Sequence, residues 1–125
     1  MSHKDKQSFM LLKSIIFHYH GLDEDEERML NESAEELNAQ KELQWATEFI
    51  ASDYISAFER TRAYMSEVMP TIDKEKRLNF INLTWKANKL KGYITEMEVT
   101  ALLKLAKDWE VKKELTQIVE KEMDL

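Results

Sequence analysis

Apolar residues recur at helical spacing along nearly the whole chain. Phe9, Leu12, Ile16 and Tyr19 step by three, four and three positions, which predicts a helix that buries one face, and Gly21 follows where such a helix stops. The next stripe is Leu30, Ala34 and Leu37, opened by Asp23 three residues before Glu26. In that capping box Asp23 accepts from a free backbone N–H and Glu26 reaches back to the cap. Leu43, Ala46 and Ile50 continue at helical spacing, and Tyr54, Phe58, Thr61, Met65 and Val68 mark a further face. The pattern across residues 40–68 fits either one bent helix or two. Met69, Pro70 and Thr71 break it, because proline lacks a donor and pushes the residue before it out of helical geometry. Phe80, Leu83, Ala87 and Leu90 then form a stripe that ends before Gly92, and Thr95 stands three before Glu98 in a second capping box. Leu102, Ala106 and Trp109 carry the apolar face of that helix, and Leu115, Ile118, Val119 and Met123 supply a short last one.

Two glycines and one proline in 125 residues leave almost nothing to build the tight turns of an all-β domain. The prediction is all-α, a single helical domain over residues 1–125 with about six or seven helices and two related helix-turn-helix pairs. Cysteine is absent, which excludes disulfides, a thiol nucleophile and thiolate metal sites. Eighteen basic against twenty-four acidic side chains give a net charge of -6, the wrong sign for neutralising phosphates, so nucleic acid is not expected as a partner. The excess lies in the first half and is densest between Asp23 and Glu36, where eight carboxylates face Arg28 alone. Carboxylates in a first helical turn are favoured by the helix dipole, which explains part of the run without a ligand. No stretch reaches the roughly 18 uninterrupted apolar residues of a membrane span. Lys13 and Ser14 interrupt the apolar start, and no small-residue cleavage site follows. A soluble cytoplasmic protein is the resulting expectation.

The two ends of the sequence align with each other. At an offset of 71, Phe9 meets Phe80, Leu12 meets Leu83, Ile16 meets Ala87, Tyr19 meets Leu90 and Gly21 meets Gly92. After the glycines the offset becomes 72: Leu22 meets Ile94, Asp23 meets Thr95, Glu26 meets Glu98, Leu30 meets Leu102, Ala34 meets Ala106 and Leu37 meets Trp109. The extra residue is Tyr93. Stripes alone align by chance, but the glycine, apolar residue and capping pair between them argue for an internal duplication.

This unit resembles the repeated element of the tellurite-resistance TerB-like family, an apolar helix ending in Asp-Gly, then an apolar residue, a capping residue and a Glu. Gly92, Ile94, Thr95 and Glu98 match that pattern; His20-Gly21-Leu22-Asp23 with Glu26 matches it less well. Met69-Pro70 before a long apolar helix and Trp109-Glu110-Val111 before a short last helix are also similar to the family, so the resemblance spans nearly the whole chain. It implies a bacterial stress-response context and an acidic cluster able to hold a divalent cation, built on the Asp before each glycine and the Glu after it. Here those Asp positions are His20 and Lys91. His20, Glu26 and Glu98 are therefore the metal-site candidates, and Lys91 argues against them, because a protonated lysine repels a hard cation. An ammonium standing where family members hold a metal predicts that calcium or magnesium leaves the melting temperature unchanged.

Other chemistry finds little support in the spacing. The acidic run from Asp23 is not an EF-hand, since Arg28 stands where the loop needs Gly and Ala34 where it needs a bidentate Glu. A di-iron bundle needs Glu three residues before His, and Ile15 and Phe17 occupy those places before His18 and His20. The two histidines point about 200° apart on a helix and cannot chelate one ion together. His20, near Glu24, Glu26 and Glu27, is a candidate pH-responsive group. No nucleophile or phosphate-loop motif occurs, so no catalytic residue, cofactor-binding residue or cofactor is assigned. Trp109 lies on a buried stripe, whereas Trp85 lies off the main stripe of its helix and is the candidate for an exposed partner contact. The expected role is a non-catalytic protein-interaction or sensing module of TerB-like type; the alternative is a divalent-metal-binding protein using the acidic start of the second helix.

Overall fold

The computed structural model describes residues 1–18, 22–90 and 94–122. Among them the chain forms seven α-helices and no strand: α1 (His3–His18), α2 (Glu24–Leu37), α3 (Gln40–Ala51), α4 (Ala57–Val68), α5 (Lys74–Leu90), α6 (Glu96–Asp108) and α7 (Lys112–Glu122). A short 3-10 turn, Met69–Thr71, carries Pro70 and ends α4 where the sequence pattern breaks.

The stretch 40–68 is two helices. Asp53 interrupts them: its carboxylate accepts the backbone N–H of Ile55 at 3.1 Å and the hydroxyl of Ser56 at 2.8 Å, a local alternative to helical bonding. Arg60 then donates to the carbonyls of Phe49 and Asp53, both at 2.8 Å, which ties the start of α4 to the end of α3. Tyr54 consequently lies in the connection and is exposed, not on the helical face expected of it.

The chain divides into two compact units, Met1–Tyr64 and Met65–Leu125. In the first, α1, α2 and α3 pack pairwise on one another. In the second, α5, α6 and α7 do the same. Phe9, Leu12 and Ile16 are buried as expected, yet α1 is not one-faced, for every residue from Ser8 to Phe17 is buried, Lys13 and Ser14 included. In α5, Phe80 and Ala87 are joined in the interior by Ile81, Thr84, Trp85 and Asn88, while Leu83 is half-buried. The hydroxyl of Thr84 is satisfied by the carbonyl of Phe80 at 3.0 Å, which lets a polar side chain sit inside.

Both capping boxes form. Glu26 N donates to Asp23 Oδ1 at 2.8 Å and Asp23 N to Glu26 Oε1 at 3.3 Å. Glu98 N donates to Thr95 Oγ1 at 3.2 Å and Thr95 N to Glu98 Oε1 at 3.0 Å. Each cap stabilises its helix by about 1 kcal/mol. The far ends of these two helices also correspond. Asn38 and Glu110, at φ 53° and 61°, take the left-handed conformation. Ala39 N donates to Ala34 O at 2.7 Å and Asn38 N to Glu35 O at 3.2 Å; Val111 N donates to Ala106 O at 2.8 Å and Glu110 N to Lys107 O at 3.2 Å. This is the Schellman closure of a helix C-terminus, made twice at a spacing of 72 residues. Ala39 and Val111, which follow the left-handed residue, are both fully buried.

Candidate functional site

An open cleft of about 510 Å³ lies within the first unit, where the end of α1 meets α2, α3 and the α3–α4 connection. The inward stripe of α2 is Glu26, Leu30 and Ala34, so Glu27 and Asn31, one position further round, stand at its edge and form one wall. On α3 the buried positions are Glu42, Ala46 and Ile50, and Gln44 and Glu48, four apart on the exposed side, form another wall. Gln44 Nε2 donates to Glu48 Oε1 at 3.4 Å, and Asn31 Nδ2 to the carbonyl of Glu27 at 3.0 Å. Leu30 and Leu43 supply apolar lining.

His18 closes one end. Its ring stacks on Tyr54 with centroids 6.2 Å apart and planes 28° from parallel. Burial pushes the imidazole below its ordinary 6.5, against a weaker upward pull from Glu27. The ring is thus neutral at neutral pH. A second, smaller cavity of about 180 Å³ shares His18 and Tyr54 and extends to Ile55 and Phe58. Tyr54 is 65% exposed and Ile55 97% exposed, so the connection lifts two large apolar groups into solvent beside the cleft. Asp53 holds that connection, and the Ser56 hydroxyl, followed by the Ile55 N–H, keeps its carboxyl below the usual range.

This lining combines two carboxylates, amide side chains, a neutral imidazole and apolar surface, with no lysine or arginine among the described lining residues. Such a lining suits binding of a polar-and-apolar ligand.

Of the sequence's candidates, Glu27 lines the cleft, whereas Glu26 and Glu98 are not among its described lining residues. Glu26 in the first unit and Glu98 in the second are both fully buried, and each is engaged in its own capping box. His20 and Lys91, on which the metal argument turned, lie outside the described residues, as do Tyr19, Gly21, Gly92, Tyr93 and Met123. Among the described residues no group of three His, Asp or Glu is placed to hold a metal ion.

Trp85 corrects an expectation. It is completely buried, and its indole Nε1 donates to Glu122 Oε2 at 2.5 Å, so it offers no exposed contact. Lys89 reaches the same oxygen at 2.9 Å, and together these donors, Lys89 foremost, hold the Glu122 carboxyl below its ordinary range. Lys74 pairs likewise with Glu114 at 2.7 Å. These lysines of α5 therefore meet α7 in their own unit. Trp109 is buried as its stripe implied, and Trp45 packs half-buried against Phe49 and Tyr64 at 5.5 and 5.4 Å.

One buried cation gave no signal in the sequence. Lys13 lies inside α1's packed stretch with its ammonium over the rings of Phe9 and Phe17 and donating to the Ser33 hydroxyl. Burial lowers its pKa, opposed by Glu36 and Glu32. The long alkyl stem explains how it is accommodated.

Comparison with protein-family models, with curated proteins and with solved structures finds no match. Among the described residues no helix is long and apolar enough to cross a membrane.

Proposed function

We propose that the chain is a non-catalytic protein-interaction module of TerB-like type, whose docking surface is the cleft of the first unit. The observation that carries this reading is the pair Tyr54 and Ile55, strongly exposed at the edge of a cleft whose lining is part apolar and part acidic. Large apolar side chains held out in water by a structured connection mark contact surfaces more than solitary surface residues do. The TerB-like part of the reading rests on the duplicated hairpin. What supports it is the recurrence, 72 residues apart, of capping box, Schellman turn and following buried residue, which extends the likeness from a helix pair to the start of a third helix.

The test is a photo-crosslinking amino acid placed at Ile55 and, as control, at the exposed Lys107 of α6. In cells of the native host, position 55 traps a discrete protein adduct that the Tyr54→Ser change abolishes, and position 107 does not. Identical adducts from both positions, or none at 55, would refute the docking surface.

A further inference from the structure

We infer that the occupant of this cleft is a basic amphipathic polypeptide segment, one that sets a lysine or arginine against Glu27 and Glu48 while a large apolar side chain covers Tyr54 and Ile55. The inference rests on the reading of the cleft as a docking surface and names the chemistry it accepts.

Among the described residues that line the cleft, no lysine or arginine offsets the charge on its walls. Glu27 comes from α2 and Glu48 from α3, and the lining around them is amide, hydroxyl, neutral imidazole or aliphatic. Arg28, the basic residue closest in sequence, is turned to Asp25 at 3.5 Å and Glu32 at 3.7 Å. The outer face of α2 extends the negative field with exposed Glu24, Glu35 and Glu36. A field of one sign around a cleft draws in and orients a ligand of the opposite sign, chiefly by speeding encounter and rejecting like-charged competitors.

The apolar half of the surface decides against a small cation. A free amine can satisfy two carboxylates, yet it leaves Ile55, 97% exposed, in water. The ring of Tyr54 borders the larger cavity and the smaller one that reaches Ile55, so acidic walls and apolar ledge are contiguous. A polypeptide supplies both chemistries at fixed spacing, as in groove recognition by amphipathic segments.

The experiment uses the full chain and three labelled helical peptides with the same apolar face, whose polar positions are all lysine, all glutamine or all glutamate. Fluorescence anisotropy measures affinity, and amide chemical shifts map the site. The lysine peptide binds about ten-fold more tightly than the glutamine peptide, weakens with added salt, and perturbs Tyr54 and Ile55; the glutamate peptide binds least. Glu27→Gln with Glu48→Gln removes that ten-fold advantage, whereas Glu67→Gln with Glu120→Gln, equal in charge but not among the residues that line the cleft, keeps most of it. Equal binding of the lysine and glutamine peptides at Tyr54 and Ile55 overturns the basic occupant and leaves the docking surface standing. If no peptide perturbs those residues, the docking surface itself falls. Sedimentation at rising protein concentration covers the other occupant: a dimer abolished by the Glu27 and Glu48 changes would make the occupant a second copy of this chain and overturn the proposal.

Discussion

The turn from α2 into α3 and the turn from α6 into α7 share their hydrogen bonds, yet the helices entering them present different surfaces. Asn38 and Glu110 occupy the same left-handed position, although one tolerates that conformation well and the other does not. Ahead of the turns, Glu27 and Asn31 of α2 line an open cleft, whereas 72 positions later Val99 and Leu103 of α6 are aliphatic and half-buried. A helix end must satisfy its last carbonyls, and the Schellman closure does so with backbone alone, leaving side chains free to change. The face of a helix is under no such demand, and here it is polar in α2 but aliphatic in α6 at the matching spacing.

That contrast can be broken by substitution. The largest effect is expected at the last residue before each turn. Trp109 is 2% exposed and Leu37 is half-buried, so Trp109→Ala should cost about 4 kcal/mol in urea denaturation and Leu37→Ala about 1 kcal/mol. Equal losses would mean that the two helix ends are packed alike. Next comes Glu122, which follows the buried Ile50 at the same spacing of 72 residues. Glu122→Ile copies that residue but strands the Trp85 N–H, at a cost of about 1–2 kcal/mol. The unfolded chain takes up this carboxyl's proton near 4.5 and the folded chain only at lower pH, so its stabilisation is present above 4.5 and lost as the pH falls through the lowered value. The deficit of the variant should therefore shrink in acid, which denaturation curves at pH 7 and pH 3 would reveal.

A smaller effect is expected at the two left-handed residues. Glu110→Gly should raise stability by about 1 kcal/mol and Asn38→Gly by about 0.3 kcal/mol, because glycine relieves more strain where the resident side chain tolerates the left-handed region less. Thermal melts decide it, and a larger gain at Asn38 would contradict the account. The smallest effect is confined to the first unit. His18 is kept neutral by burial, so as pH falls from 6.5 toward its lowered value the unfolded chain gains a proton that the folded chain resists, and stability declines across that window. His18→Gln should flatten the decline between pH 7.5 and 5.5 in urea midpoints.

Features set by neighbours in the sequence were legible before any coordinates. Asp23 with Glu26 and Thr95 with Glu98 announce helix starts because a cap and its third residue meet across one turn. Pro70 announces an end because its restriction is covalent. Legibility failed where burial comes from all sides. An apolar stripe marks a single buried face, whereas α5 buries Trp85 and Asn88 beside Phe80 and Ala87. Neither left-handed residue is glycine, so both turns lacked their usual marker. The cleft was hidden for another reason: His18, Glu27 and Glu48 come from three helices, and no local period relates them.

The tryptophans give the two units separate optical reporters. Trp85 and Trp109 are sealed in the second unit, while Trp45 sits half-covered in an aromatic cluster of the first. Replacing Trp45 with Phe confines indole emission to the second unit, and replacing the other pair confines it to the first. Each half can then be followed by its own colour shift as it melts, without attaching a dye.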